Sequence, residues 1–323
     1  MTRISPFSLL VKPAGASCNL ACDYCFYLDK AALYPGAKPV MPPDVLERMI
    51  ASYLAMPFDS FSIVFQGGEP LLAGLDFFKS AAGAVRRHKR KGTSVNLAVQ
   101  TNATLVTDEA ARFFADEGWL AGVSVDGPPC VHDTHRRFAS GGGSYSAVMR
   151  GISRLSGAGA EFNVLCLVTP ENVSVPAQVY RHLRDGVGAK WIQYSILLEC
   201  VSFAQWDDFL CGTLDTWMAD GDVGRISVGN IDTALAYLRL GRADQCIFAD
   251  RCDGHMVVER NGDVYPCDFY VSADTRLGNI MESDWQTMRE SPIAQRFAAA
   301  KCPRHLSRIA RMRFYDRLAA ALG

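Results

Sequence analysis

Ser17-Cys18-Asn19-Leu20-Ala21-Cys22-Asp23-Tyr24-Cys25-Phe26-Tyr27 sets three cysteines in a C-x3-C-x2-C spacing, just after a short apolar run over 7–11 that reads as a first strand. Thiolates are soft ligands suited to iron–sulfur clusters and to zinc. Three of them close together can each take one iron of a [4Fe–4S] cube. The fourth iron then has no protein ligand and is open to substrate. Zinc sites usually pair C-x2-4-C motifs and use four protein ligands, and no nearby Cys or His supplies a fourth here. A disulfide conflicts with the odd local count. On helical spacing the three cysteines would share one face, so a cysteine-rich core helix stays open. Against it, Asn19 and Asp23 would interrupt an apolar helix, and Tyr24-Cys25-Phe26-Tyr27 suits a loop wrapped around a cofactor.

The remaining chain bounds the context. Its 323 residues suffice for one large domain plus a smaller one. A composition of 49% apolar and 21% charged residues is ordinary for a globular protein. The formal net charge of −1 argues against broad capture of nucleic acid or an anionic membrane surface. No run approaches the length of a membrane span. Met1 to Pro6 lacks the apolar core of a secretory signal, so the 11 cysteines are expected to be reduced thiols in a cytoplasmic protein, several of them metal ligands.

Hydrophobic periodicity predicts further strands over 61–65, 95–100, 121–125, 162–168 and 191–198. Helices are expected over 44–56, 75–91, 107–117, 144–156, 174–185 and 204–219. Such alternation means βα units and a parallel sheet. Six repeats are too few for a closed eight-stranded barrel, so the fold class expected is α/β, an open partial (β/α)6 barrel. Chemistry in parallel barrels gathers at the carboxyl ends of the strands. There lie the cysteine loop, Gln66-Gly67-Gly68-Glu69-Pro70, Gln100-Thr101-Asn102-Ala103-Thr104 and Ser124-Val125-Asp126-Gly127. Near residue 222 the pattern changes to a helix over 231–240, then cysteines and a hairpin. The predicted division is 1–235 for the barrel and 236–323 for a small cysteine-containing extension.

Taken alone, Gly67-Gly68 is a plain turn or a place where backbone approaches a ligand. His132, Asp133, His135, Arg136 and Arg137 read as a solvated charged loop, and Cys130, Cys166, Cys200 and Cys211 as buried free thiols. A second constellation is Cys246-x5-Cys252-x14-Cys267, whose last two cysteines flank a hairpin with an Asn261-Gly262 turn. Composition leaves zinc and iron–sulfur equally open there.

The cysteine motif, with an aromatic before its last cysteine, resembles the signature of the radical S-adenosylmethionine (SAM) superfamily. The run from Lys12-Pro13-Ala14-Gly15 through Lys30, followed by Leu33-Tyr34-Pro35-Gly36, is similar to the anaerobic sulfatase-maturating enzymes within it. This resemblance implies that Cys18, Cys22 and Cys25 hold a [4Fe–4S] cluster whose open iron chelates SAM, which one electron cleaves to a 5′-deoxyadenosyl radical. It implies a cofactor and substrate pocket built from Tyr27, Gln66, Gly67, Gly68, Glu69, Ser124, Asp126 and Arg136. Asn102-Ala103 departs from the usual Asn-Gly, which affects the turn. The extension resembles SPASM, with Cys246, Cys252 and Cys267 as ligands of an auxiliary [4Fe–4S] cluster and Asp268 as catalytic base.

The implied activity is oxidation of a Cys or Ser in a sulfatase polypeptide to Cα-formylglycine, with a ferredoxin or flavodoxin as electron donor. Resemblance covers about residues 7–301 and then fails. The family's later C-x2-C-x5-C-x3-C run is absent and only Cys302 remains, so a second auxiliary cluster lacks ligands and the first has three cysteines plus Cys302. The stretch 307–322 reads as a solvated basic amphipathic helix. Two alternatives stand beside this reading. One is another SPASM peptide modifier forming thioether or carbon–carbon crosslinks. The other is a non-catalytic peptide-binding remnant, motivated by the missing ligands.

Overall fold

Along Ser60–Phe65 (β2), Phe61, Ile63 and Phe65 are buried while Ser62 and Val64 are only half-buried. The same two-residue alternation runs through Phe162–Val168 (β5), where Val164, Cys166 and Val168 are buried and Asn163, Leu165 and Leu167 are less so. Side chains on a strand alternate between faces. One face of the sheet therefore lies under helices, and the other, which carries Ser62, Asn163 and Gln193, is partly open. The structure, a computed structural model, describes residues 5–36, 38–241, 246, 251–300 and 312–321.

Ser8–Lys12 (β1), β2, Ser94–Thr101 (β3), Leu120–Ser124 (β4), β5, Trp191–Ile196 (β6) and Ser227–Val228 (β7) follow one another in parallel. Pro43–Leu54 (α1), Leu75–His88 (α2), Asp108–Asp116 (α3), Pro129–His135 (α4), Tyr145–Ala158 (α5), Pro176–Arg181 (α6), Phe203–Ala219 (α7) and Gly229–Leu240 (α8) connect or follow them. In α1 Pro43 occupies the first turn, and Val45, Leu46, Met49, Ile50, Tyr53 and Leu54 form the buried stripe. Full burial of one such side chain contributes about 1.5–3 kcal/mol. Thr107 caps α3, as its sequence predicts, by accepting the Ala110 N–H at 3.1 Å.

The expected open α/β barrel is what the sheet forms, and two features extend it. The short β7 adds a strand beyond β6. At the opposite edge His255–Glu259 (β8) pairs in parallel with β1, followed by antiparallel Asp263–Tyr265 (β9) and Gly278–Asn279 (β10). Strand order is β10-β9-β8-β1-β2-β3-β4-β5-β6-β7, and among the described residues no strand pairing joins the two edges. The predicted Asn261-Gly262 hairpin is thus part of the barrel sheet, with Gly262 at φ +89° in its turn.

Trp285–Glu290 (α9) and Pro292–Ala299 (α10) follow. The last described helix, Arg313–Ala321 (α11), is amphipathic but not solvated all round, because Phe314, Tyr315 and Leu318 are buried. Asp207 of α7 accepts the N–H groups of Arg313 (3.0 Å) and Phe314 (2.9 Å), capping the start of α11 from outside. Cys302 and the rest of 301–311 lie outside the described residues. No helix among the described residues is long and apolar enough to cross a membrane.

Candidate active site

The cysteine stretch is a loop, not a helix. It leaves β1 at Lys12 and runs beside the turn that follows β2. Gln66 N–H donates to Val11 O (2.8 Å), Gly68 N–H to Gly15 O (2.9 Å) and Glu69 N–H to Ser17 O (2.8 Å), so parallel pairing continues past the strand ends. This contact explains the glycines. A Cβ at Gly68 would stand 2.1 Å from Ser17 O, and one at Gly67, where φ is +136°, would stand 2.7 Å from Gly15 O. The amides of Gly68 and Glu69 are committed to the loop, leaving carbonyls as the groups with which the turn can meet a ligand's ammonium. Gly68→Ala is expected to displace the loop, cost about 2–4 kcal/mol and lower the iron bound after reconstitution. Thermal unfolding and iron analysis check both.

From the other side, Asn102 Nδ2 donates to Asn19 Oδ1 (2.9 Å) and Asn19 Nδ2 donates to Thr104 Oγ1 (2.8 Å). Ala103, where the usual glycine is missing, takes the left-handed region at φ +59°. For an alanine that conformation costs about 1–2 kcal/mol. Tyr24 O–H donates to Asp126 Oδ2 (2.5 Å), which also accepts Arg136 Nε–H (2.8 Å), while Asp126 Oδ1 accepts Leu167 N–H (3.0 Å). Burial, the largest single influence, would raise the Asp126 carboxyl, but the charge and hydrogen bonds of Arg136 together with the Tyr24 hydrogen bond and His132 hold the group below its ordinary value. Asp126 and Arg136 therefore sit under the loop and pin its aromatic residue.

The segment 132–137 is not the solvated charged loop expected. His132 lies in α4 and is fully buried, and Arg136 is ion-paired, while Arg137 is exposed. Apolar neighbours at 127–131 hid that helix, which begins Pro128-Pro129. Asp126 N–H donates to His132 Nδ1 (3.3 Å), so the proton sits on Nε2, which faces Ser144 Oγ at 3.0 Å. Burial, then Arg136, push His132 down to about 4. The unfolded chain binds this proton below about pH 6.5, and the folded chain does not until near pH 4. Stability from His132 is thus complete above pH 6.5 and declines as pH falls toward 4, by up to about 3 kcal/mol. Denaturant titrations at several pH values check this slope, which His132→Gln is expected to flatten.

Glu69 is also fully buried. Its carboxylate accepts Leu71 N–H (2.9 Å), Thr101 Oγ1–H (2.7 Å) and Asn102 N–H (2.8 Å), tying the ends of β2 and β3 together. Burial raises it to about 7 against those donors. Ser124 is half-buried on the inner face and accepts Gln100 Nε2–H at 3.1 Å.

The C-terminal segment meets this site through Asp268. Its Oδ2 accepts from Lys12 Nζ (3.3 Å) and Gln66 Nε2 (3.2 Å). Tyr27 is buried, its ring 4.2 Å from Lys12 Nζ and its O–H donated to Glu259. Phe26 stacks on Phe269 with ring centroids 4.4 Å apart, so the residues after Cys25 and after Asp268 touch. The Cys267 thiol is pushed up to about 11 by burial first and by Asp268 second, and Cys246 and Cys252 are near enough to add to the shift. Sequence reasoning gave Lys12 and Glu259 no role of their own. The available signal was that Leu9-Leu10-Val11-Lys12 and Met256-Val257-Val258-Glu259 are apolar strands ending in opposite charges. Cys166 and Cys211 are buried as expected, whereas Cys130 and Cys200 are exposed.

These thiols fit iron–sulfur chemistry. Cys18 Sγ accepts Leu20 N–H (3.3 Å) and Asn102 Nδ2–H (3.8 Å), the kind of donor that supports a cluster-bound thiolate. Burial raises the Cys22 thiol to about 12, so ionising it calls for a positive centre such as a metal. Cys18 and Cys25 are close enough to Cys22 to perturb it. Among the described residues no three His, Cys, Asp or Glu side chains converge as tightly as one metal ion requires; a cubane spreads its thiolates more widely.

An open parallel barrel carrying a three-cysteine loop at the carboxyl ends of its strands defines an α/β protein of the cluster-binding kind. The radical SAM superfamily model matches residues 13–183, and the SPASM iron-sulfur cluster-binding domain matches residues 246–310. The serine-type anaerobic sulfatase-maturating enzyme of Bacteroides thetaiotaomicron is 35% identical over 92% of this chain and 77% of its own. The cysteine-type enzyme of Clostridium perfringens is 34% identical over 88% and 80%. The solved structure of native anSMEcpe with bound AdoMet and Cp18Cys peptide superposes with a TM-score of 0.85 at 32% identity, over 93% of this chain and 85% of that one. The chain belongs to the radical SAM superfamily and, within it, to the family of anaerobic sulfatase-maturating enzymes. It is accordingly a radical SAM oxidoreductase with iron–sulfur and SAM chemistry.

Proposed function

We propose that this protein oxidises a Cys or Ser of a sulfatase polypeptide to Cα-formylglycine. The observation that carries the reading is the meeting of Asp268 with Gln66 and Lys12 beside the cysteine loop. Cys18, Cys22 and Cys25 would hold the [4Fe–4S] cluster. Gly67, Gly68 and Glu69, through their backbone, and Ser124 would receive SAM, while Asp126 and Arg136 hold the loop in place. When bound, the cluster and SAM supply the radical that removes a hydrogen atom from the target Cβ.

In this reading the chain's own residues have the following roles. Gln66 and Tyr27 line the approach to Asp268, and the carboxylate takes the thiol or hydroxyl proton of the target. The Phe26–Phe269 stack ties the residue after Cys25 to the residue after Asp268. Cys246, Cys252 and Cys267 would hold an auxiliary [4Fe–4S] cluster next to the base, where the electron released with that proton needs an acceptor. From Cys, the thioaldehyde then hydrolyses with loss of hydrogen sulfide; from Ser the aldehyde forms directly.

Residues 1–235 serve in this reading as the radical-generating barrel and 236–323 as the auxiliary unit, joined through β1 and β8. A reducing cytoplasm would keep the cysteines available as cluster ligands, with an electron donor such as a ferredoxin or flavodoxin. The deciding experiment is anaerobic incubation of the reconstituted protein with SAM, a reductant and a peptide containing Cys-x-Pro-x-Arg, followed by mass analysis. Loss of hydrogen sulfide with gain of oxygen supports maturation. Cleaved SAM with an unchanged peptide refutes it for that substrate.

A further inference from the structure

Lys12 is buried to 1% exposure at the end of β1, and nothing above gives its ammonium a task. A buried charge persists only when paired and hydrogen-bonded. Its partners are Asp268, 256 positions away, the face of Tyr27, and the carboxylate of Glu259, its register partner on β8. The two barrel donors, Lys12 Nζ at 3.3 Å and Gln66 Nε2 at 3.2 Å, converge on the same oxygen, Asp268 Oδ2. Among the described residues, the hydrogen-bond contact of Oδ1 is the adjoining Cys267 thiol at 3.9 Å. That thiol has no proton to give once it ligates a metal.

We propose that Lys12 is a positioning residue: together with Gln66 it holds Asp268 by Oδ2, so that Oδ1 is the oxygen turned to the target side chain. The inference rests on Asp268 being the base. In the step concerned, the target S–H bond breaks and its proton bonds to Oδ1. The carbon–sulfur double bond forms from the carbon radical, and one electron leaves to the oxidised auxiliary iron–sulfur cluster. A carboxylate free to turn still leaves hydrogen abstraction intact, but proton removal no longer follows it. Lys12 therefore governs coupling, not radical formation.

Lys12→Met keeps the length of the side chain and removes its charge. In one anaerobic reaction, SAM cleavage is expected to stay within about threefold of wild type, while formylglycine formed per SAM cleaved falls by about tenfold or more. A peptide carrying selenocysteine at the target position, whose selenol is already ionised at neutral pH, is expected to restore that ratio. A crystal structure of the loaded variant should show the Asp268 carboxylate rotated away from its wild-type plane. An unchanged ratio, a parallel fall of both products, or no gain with selenocysteine overturns the proposal. If Lys12→Met does not fold and load its clusters, the double variant Lys12→Met with Glu259→Gln, which removes the buried lysine charge together with its register partner's charge, must show the same lost ratio and the same rescue; an unaltered ratio there also overturns it. A wild type that cleaves SAM but makes no formylglycine overturns the functional reading and this proposal together, whereas an active wild type with an unaffected variant overturns Lys12 alone.

Discussion

Asp268→Asn is expected to lower formylglycine formation by roughly 10²–10⁴-fold, the range a positioned general base contributes, while SAM cleavage continues. Asparagine keeps the shape of aspartate and can still accept from Lys12 and Gln66 through one oxygen, but it cannot take a proton. The substitution also removes one of two carboxylates facing a buried lysine. Glu259 remains, so the loss of stability should stay near 1–3 kcal/mol. Measuring SAM cleavage, formylglycine and thermal unfolding on the same preparation separates the outcomes. Retained product would show that another group accepts the proton, and loss of SAM cleavage with product would mean that Asp268 organises the radical site itself.

The second large effect concerns the loop. Cys22→Ala should reduce both cluster iron at the loop and SAM cleavage by more than about 100-fold, since altering even an outer-shell partner of a metal ligand can cost 10–100-fold. The cluster-free fold should change by less than about 1 kcal/mol. Hydrogen bonds that do not involve the Cys22 thiol hold the loop: Asn102 Nδ2 donates to Asn19 Oδ1, Tyr24 O–H to Asp126, and the Gly68 and Glu69 amides to Gly15 O and Ser17 O. Cys267→Ala is the control, because it leaves the three loop cysteines untouched and is expected to retain SAM cleavage. A Cys22→Ala protein that still cleaves SAM would remove the three-cysteine cluster from the mechanism, and a wild type that never does so would favour the non-catalytic remnant.

The site was legible in the sequence to different depths for physical reasons. Cys18, Cys22 and Cys25 are neighbours along the chain, so their chemistry shows as spacing. The glycines of the turn were visible too, but not their cause: only the fold reveals that Gly68 is excluded from bearing a Cβ by Ser17 O. Glu69 and Asp126 stood out as polar residues after strand ends, whereas Arg136 was singled out only by the family resemblance. The Glu69 side chain proves to tie β2 to β3, and Asp126 and Arg136 prove to hold the loop from beneath, a distinction that burial decides and that polarity alone does not carry. His132 and Arg136 looked solvated because a short charged helix and a charged loop have the same composition. The amphipathic tail helix was likewise recognisable as a helix, whereas its packing depends on Asp207, more than a hundred positions earlier.

Local periodicity and motif order determined the βα repeat, the open barrel and the placement of four polar motifs at the carboxyl ends of its strands. They did so because alternation, capping and turn chemistry act over a few residues. The tertiary structure alone decided that β8 adds to β1, and with it that Lys12 and Glu259 share a register and Asp268 arrives beside Gln66. Such pairings join residues more than 200 positions apart, and they are set by which edges and buried charges find partners in the whole fold.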